Sequence, residues 1–169
     1  MEPQNLFTTT PDFLSVKAVP GYFYSERKNR DSVAVFLILN KKVLIRYQPM
    51  PQFLQEGRLY ACPITGSMEE GYLPLQVAQK EALEEGGYEV DLSSAVDLGY
   101  YLVGTQTNEV CWMFAWDVIF LENQLAQGDG TDLEKLAENG WLTFEEALEI
   151  AEYSGLVIGL YKLRNRGLL

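Results

Sequence analysis

The order of local patterns along the chain predicts an α/β (α+β) protein built as an α+β or α/β/α sandwich. Three observations carry this. Apolar and β-branched segments of strand length crowd the first third, one helical segment sits in the middle, and two amphipathic helical segments close the chain. The 169 residues, 47% of them hydrophobic, are enough for one domain that buries roughly 70% of the surface its unfolded chain would expose. No internal repeat or linker divides residues 1–169.

Each element has its own signal. Residues before about Thr10 read as a loose arm, and Phe13–Val19 and Tyr22–Glu26 as short strands joined by the turn pair Pro20-Gly21. A basic loop, Arg27 to Arg30, leads into Ser32–Leu39, an unbroken apolar run of the kind found in strands buried on both faces. Asn40-Lys41 then turns the chain into Val43–Gln48, an alternating hairpin partner ended by Pro49 and Pro51. Leu59–Cys62 is expected as a strand and Thr65–Leu73 as a loop. Pro74 suits a first helical position and Gly86-Gly87 a C-terminal stop, which predicts a helix over about Pro74–Glu85 with Leu75, Val77, Ala78 and Ala82 turned inward. Asp97–Gly104 and Glu109–Phe120 are rich in aromatic and β-branched residues and read as two strands about a Thr105–Asn108 turn. Trp112 and Trp116, four apart, share one strand face and point to the core. Leu121–Gly140 is polar and acidic without a period, a loop of a length that is more often functional than idle. Thr143-x-x-Glu146 is a capping box that opens a helix, and a last helix is expected over about Gly155–Arg164.

Composition narrows the function. With 13 basic and 24 acidic residues the formal charge is −11, which argues against a nucleic-acid or anionic-membrane partner held by a broad basic face. A small phosphorylated substrate neutralised by metal ions stays compatible. The chain has no histidine, so a Cys/His zinc site and a Ser-His-Asp triad are excluded. Cys62 and Cys111 are read as two buried thiols of a reducing compartment. The first residues lack the basic and apolar segments of a signal peptide, and the longest apolar run, Val110–Phe120, contains Asp117 and is too short to span a bilayer, so a cytoplasmic protein is expected.

The chemistry concentrates at Glu81, Glu84 and Glu85. Positions 0, +3 and +4 fall on one helix face, where like charges repel by a few tenths of a kcal/mol per pair, roughly. A hard divalent cation such as Mg²⁺ is the natural partner for such a face. A merely solvated acidic helix end is the alternative.

Around these residues the segment Gly66–Tyr88 resembles the Nudix box, G-x5-E-x7-R-E-U-x-E-E-x-G-U. Gly66 falls on its first glycine, Glu81 on the glutamate after the arginine, Glu84 and Glu85 on the paired glutamates, and Gly87 on the closing glycine. The order of elements is also similar to that of a Nudix α/β/α sandwich with a mixed central sheet and a loop–helix–loop motif. Asp31–Gln48, Asp97–Gly104 and Trp141–Leu163 look most like the ADP-ribose pyrophosphatase branch. Two positions depart from the box: Tyr72 stands where the family has glutamate and Lys80 where it has arginine. Lysine keeps the charge without the planar fork, and tyrosine removes the negative partner from what the family uses as a supporting charge network.

The resemblance implies a Mg²⁺-dependent pyrophosphohydrolase, with Mn²⁺ as a substitute, acting on a nucleoside diphosphate linked to another group such as ADP-ribose or a nucleotide sugar. It implies Glu81, Glu84, Glu85 and the Thr65 carbonyl as metal ligands. It also places an extra ligand or base in the loop before the last helices, where Glu122, Asp129, Asp132, Glu134 and Glu138 are on offer and register favours Glu134, with a solvated acidic loop as the alternative. Arg27, Arg30 and Arg46 are candidate phosphate contacts, with solubilising surface charge as the alternative reading. Tyr24, beside Tyr22 and Phe23, is a candidate for stacking on adenine, with the apolar side of a strand as the alternative. A homodimer through residues 1–30 is the implied assembly. Hydrolysis of a nucleoside triphosphate, and a Nudix-fold ligand sensor that has drifted from catalysis, are the competing functions.

Overall fold

The computed structural model describes residues 2–29, 31–119, 126 and 134–169. Two sheets form. The smaller is an antiparallel set of β1 (Gln4–Thr8), β2 (Leu14–Val19) and β3 (Tyr22–Arg27) in that order. The expected loose arm is therefore a strand, because residues 4–8 meet the open edge of β2 with Phe7 opposite Val16.

The larger sheet has seven strands. β4 (Ser32–Leu39) and β5 (Lys42–Gln48) are joined by Asn40 and Lys41, both at positive φ (50° and 63°), the backbone of a two-residue hairpin turn. β6 (Tyr60–Cys62) and β7 (Ile64–Ser67) follow, then β8 (Val96–Leu102), β9 (Val110–Asp117) and β10 (Glu138–Leu142). The main order is β10-β5-β4-β9-β8, with β6 on β5 and β7 on β4. The β4–β9 pair is parallel and the others antiparallel, so the sheet is mixed. β10 begins inside the segment read from sequence as loop and runs two residues past it; Glu138–Leu142 carries no strand pattern and is recruited by the free edge of β5. The first residues of the expected Thr65–Leu73 loop likewise belong to β7, held by the edge of β4.

Among the described residues three α-helices cover the sheet: α1 (Pro74–Glu84), α2 (Phe144–Ile150) and α3 (Ser154–Asn165). Alternation along β4 divides the core. Val33, Val35 and Leu37 face α1 through Val77, Ala78 and Ala82, whereas Ala34, Phe36 and Ile38 face α2 and α3 through Phe144, Ala147, Leu156, Leu160 and Leu163. This is the expected α/β/α layering. β5 does not alternate as expected, since Val43–Arg46 are buried without interruption between the same two helical layers. Trp112 and Trp116 both pack on the α1 side, Trp116 fully enclosed. No described helix is long and apolar enough to cross a membrane.

Close packing explains one glycine. A Cβ on Gly159 of α3 would overlap the ring of the fully buried Phe36. Gly159→Ala is expected to cost about 1–3 kcal/mol through overpacking, read as a lower urea midpoint with an unchanged slope.

The capping box of α2 is formed. The backbone N–H of Thr143 donates to Glu146 Oε2 at 2.8 Å, its hydroxyl donates to the same oxygen at 2.9 Å, and the Glu146 N–H returns to that hydroxyl at 3.3 Å. The Thr143 backbone N–H, then the hydroxyl, hold the Glu146 carboxyl below its ordinary 4.5. A depressed carboxyl stabilises the fold above that ordinary value and ceases to as pH falls through the lowered one. The stability gap between the wild type and Glu146→Gln should shrink as pH drops through this window, measured by melts at stepped pH.

Candidate active site

The site exists because β4 and β5 part company. They pair only next to their turn, through Ile38 with Val43 and Leu39 with Lys42. Beyond that point the hairpin opens, and β6 and β7 fill the gap, Cys62 registering on Arg46 and Thr65 on Ala34. The Arg46 side of β5 and the Thr65–Gly66 end of β7 are thereby set beside each other. α1 then leaves β7 through a short loop and lies back across it.

Gly66 and Glu81 fit as cradle and occupant. A Cβ on Gly66 would overlap the Glu81 carboxyl, so only glycine lets this carboxylate lie on the strand backbone. The helix ends where expected. Its start has Pro74 in the first turn, and the Leu73 N–H is met by Gln76 Oε1 at 2.9 Å. At the other end Gly87 takes φ 79°, a left-handed stop that a side chain would strain.

Glu85 closes the helix, with only 7% of the residue exposed. A carboxylate there faces the negative end of the helix dipole. Arg46, 3% exposed, offsets it: its Nε stands 3.3 Å from Glu85 Oε2, and its NH1 donates to the Glu85 carbonyl at 3.3 Å. Asn139 Nδ2 from β10 donates to the same carbonyl at 2.8 Å, and the Thr65 N–H to Glu85 Oε2 at 3.4 Å. Three strands thus converge on one residue. Next to it the Cys62 thiol is pushed up to about 12, chiefly by burial and further by the Glu85 charge, which makes it an inert neighbour.

Glu81, Glu84 and Glu85 line a cleft of about 450 Å³ together with Thr65, Gly66, Ser67, Glu69 and Lys80. Lys80 is the one cation among the described lining residues. Its ammonium makes a direct ion pair with Glu69 and stands 3.8 Å from Glu84 Oε2. Its pKa is raised above 10.5, first by the Glu69 hydrogen bond. The negative partner that Tyr72 removes is therefore supplied by Glu69, three residues earlier in the loop, whose only signal in the sequence is that it is an acid between Gly66 and the helix.

The remaining candidates are placed as follows. Arg27, at the end of β3, pairs with Glu109 at 2.7 Å, donates to Ser67 Oγ at 2.9 Å and lies over the Phe13 ring, which puts it at the cleft rim. Arg46 is enclosed, and its donors go to Glu85 and Gln48. Tyr24 lies on the small sheet opposite Lys17 and is not among the cleft-lining residues. Arg30 and the acidic candidates Glu122, Asp129 and Asp132 lie outside the described residues, and of Glu134 only the backbone is described, in a 3-10 turn just before β10.

Among the described residues no three acidic, histidine or cysteine side chains form a ready-made metal cage. The donor set is nevertheless all oxygen, gathered on one wall of one cleft, with Glu81 bedded on a glycine and Glu85 fixed by Arg46. Such a set suits Mg²⁺, which binds one or two carboxylates and completes its shell with water and substrate phosphate.

No protein-family model matches the chain, and no curated protein does. Solved structures do. A structure described as a NUDIX hydrolase from Nitrosomonas europaea superposes with a TM-score of 0.62 at 16% identity, covering 81% of this chain and 89% of its own. A structure described as an ADP compounds hydrolase superposes with a TM-score of 0.66 at 14% identity, covering 100% of this chain and 98% of its own. With Gly66, Glu81, Glu84 and Glu85 of the Gly66–Tyr88 segment lining one cleft of an α/β/α sandwich, this chain has the Nudix hydrolase fold.

Proposed function

We propose that the protein is a divalent-cation-dependent pyrophosphohydrolase, served by Mg²⁺ or Mn²⁺, that cleaves a nucleoside diphosphate linked to another group, ADP-ribose or a nucleotide sugar first among them. The observation that carries this reading is the cleft in which Glu81, Glu84 and Glu85 meet, with Glu81 bedded on Gly66 and Glu85 held by Arg46. The structural neighbour described as an ADP compounds hydrolase supports the substrate class.

In this reading Glu81, Glu84 and Glu85 hold the cation, and the Thr65 carbonyl adds a ligand. When bound, the cation draws negative charge from the phosphoryl oxygens and makes a nearby water more acidic. The chain's own part is positioning. Arg46 and the Thr65 N–H keep Glu85 in one orientation, so little reorganisation accompanies binding. Arg27 at the rim is the candidate contact for an outer phosphate, Arg30 a second, and Tyr24 the candidate to stack on a base. Glu134 is the candidate base or extra ligand, assigned by the resemblance alone.

We also assign the exposed row on the small sheet to a homodimer. Phe7 and Phe23 share one face with Val16 and Ala18, and are 60% and 61% exposed.

Three outcomes follow. In a Mg²⁺-dependent screen over ADP-ribose, nucleotide sugars, dinucleoside polyphosphates and triphosphates, turnover is expected on a diphosphate-linked substrate and falls by about 10²–10⁴-fold in Glu85→Gln. Unchanged turnover in that variant would overturn the site. Arg46→Met leaves a buried carboxylate unpaired and should cost about 3–5 kcal/mol of stability, much of which Arg46→Met with Glu85→Gln should recover in urea melts. Light scattering should give twice the chain mass for the wild type and a monomer for Phe7→Ser with Phe23→Ser.

A further inference from the structure

Lys80 is held between two acids on different elements. Glu84 is one turn further along the same helix, so α1 places it within reach of Lys80. Glu69 belongs to the loop between β7 and α1, and it takes the ammonium in a direct charge-assisted hydrogen bond. The remaining 3.8 Å to Glu84 Oε2 is an ion-pair distance outside hydrogen-bond range. Tyr72 plays no part in this pairing as an acid; it lines an adjoining apolar groove with Leu83, Val90 and Leu92.

We propose that Glu69 is a positioning residue that draws the Lys80 ammonium off Glu84, and thereby sets how tightly the cleft takes a divalent cation. The inference rests on the proposed cation site. An ammonium bonded to Glu84 would occupy a carboxylate that the cation needs, and its charge would oppose the incoming one at short range. Held on Glu69, the same ammonium keeps the acidic cleft from unbalanced repulsion without blocking the ligand. Glu69 and Lys80 therefore act as a pair, and the effect of each on cation binding depends on the presence of the other.

The test is a double-mutant cycle on cation affinity in the full chain without substrate. Mg²⁺, and Mn²⁺ in parallel, is titrated calorimetrically into the wild type, Glu69→Gln, Lys80→Gln and the double variant, with circular dichroism to establish that all four are folded. Glu69→Gln is expected to weaken binding about three- to tenfold, and Lys80→Gln to tighten it. In the Lys80→Gln background the Glu69→Gln penalty should fall below about twofold. Glu69→Asp, which keeps the charge, should recover part of the loss. A Glu69→Gln penalty of the same size in both backgrounds overturns the proposal, since a simple through-space charge effect would give that result. Wild-type protein that binds neither cation overturns the cation site itself and this proposal with it, a result distinct from additivity among variants that do bind.

Discussion

The contact on which the site depends is the buried pair of Arg46 and Glu85. Both are nearly excluded from water, and a helix C-terminus is a poor place for an anion, so Glu85 is tenable only with its guanidinium. Arg46 answers two problems with one side chain. Its Nε faces the carboxylate and its NH1 the carbonyl, one of the acceptors that every helix leaves unmatched at its end. Asn139 completes the second task from β10. The acidic wall of the cleft and the end of α1 are therefore tied together through one side chain.

This contact explains why the sheet is built as it is. A continuous β4–β5 hairpin would leave no space beside Arg46. The opening of the hairpin after Val43, and its filling by the Tyr60–Ser67 segment bent at Pro63, brings Cys62 against Arg46 and Thr65 against Glu85. Parallel pairing of β9 on the far edge of β4 then leaves α1 and the two C-terminal helices on opposite faces. Val33 and Ala34, adjacent in sequence, belong to different cores because successive side chains of a strand point to opposite faces.

What the sequence made legible follows the same logic. Ser32–Leu39, α1 and the capping box of α2 were readable because local pattern and tertiary role agree there. Glu81, Glu84 and Glu85 were readable because their spacing puts them on one helix face, and Gly66 and Gly87 because they fall at the box offsets from them. β1 and β10 were not, since each forms by adding to an edge that another segment leaves open, and a polar stretch such as Glu138–Leu142 announces no edge. Arg46 illustrates the gap for the site. From the sequence it reads as a candidate phosphate contact or a surface charge, and only the opened hairpin shows that it is enclosed and aimed at Glu85. Glu69 was hidden in the same way, because a loop residue's partner is a matter of how the loop folds back on the helix.

Charge gives the last step. A chain of net charge −11 that takes a diphosphate must find positive charge from somewhere, and the described lining of the cleft supplies a single lysine already committed to Glu69. Arg27 stands at the rim but is itself neutralised by Glu109. On the proposed function the missing charge comes with the cation, so substrate and cation must bind with mutual reinforcement, each raising the other's affinity by the same factor. The acidic cleft is then a means of selection. On that reading it would repel a free nucleotide and accept one accompanied by a divalent cation.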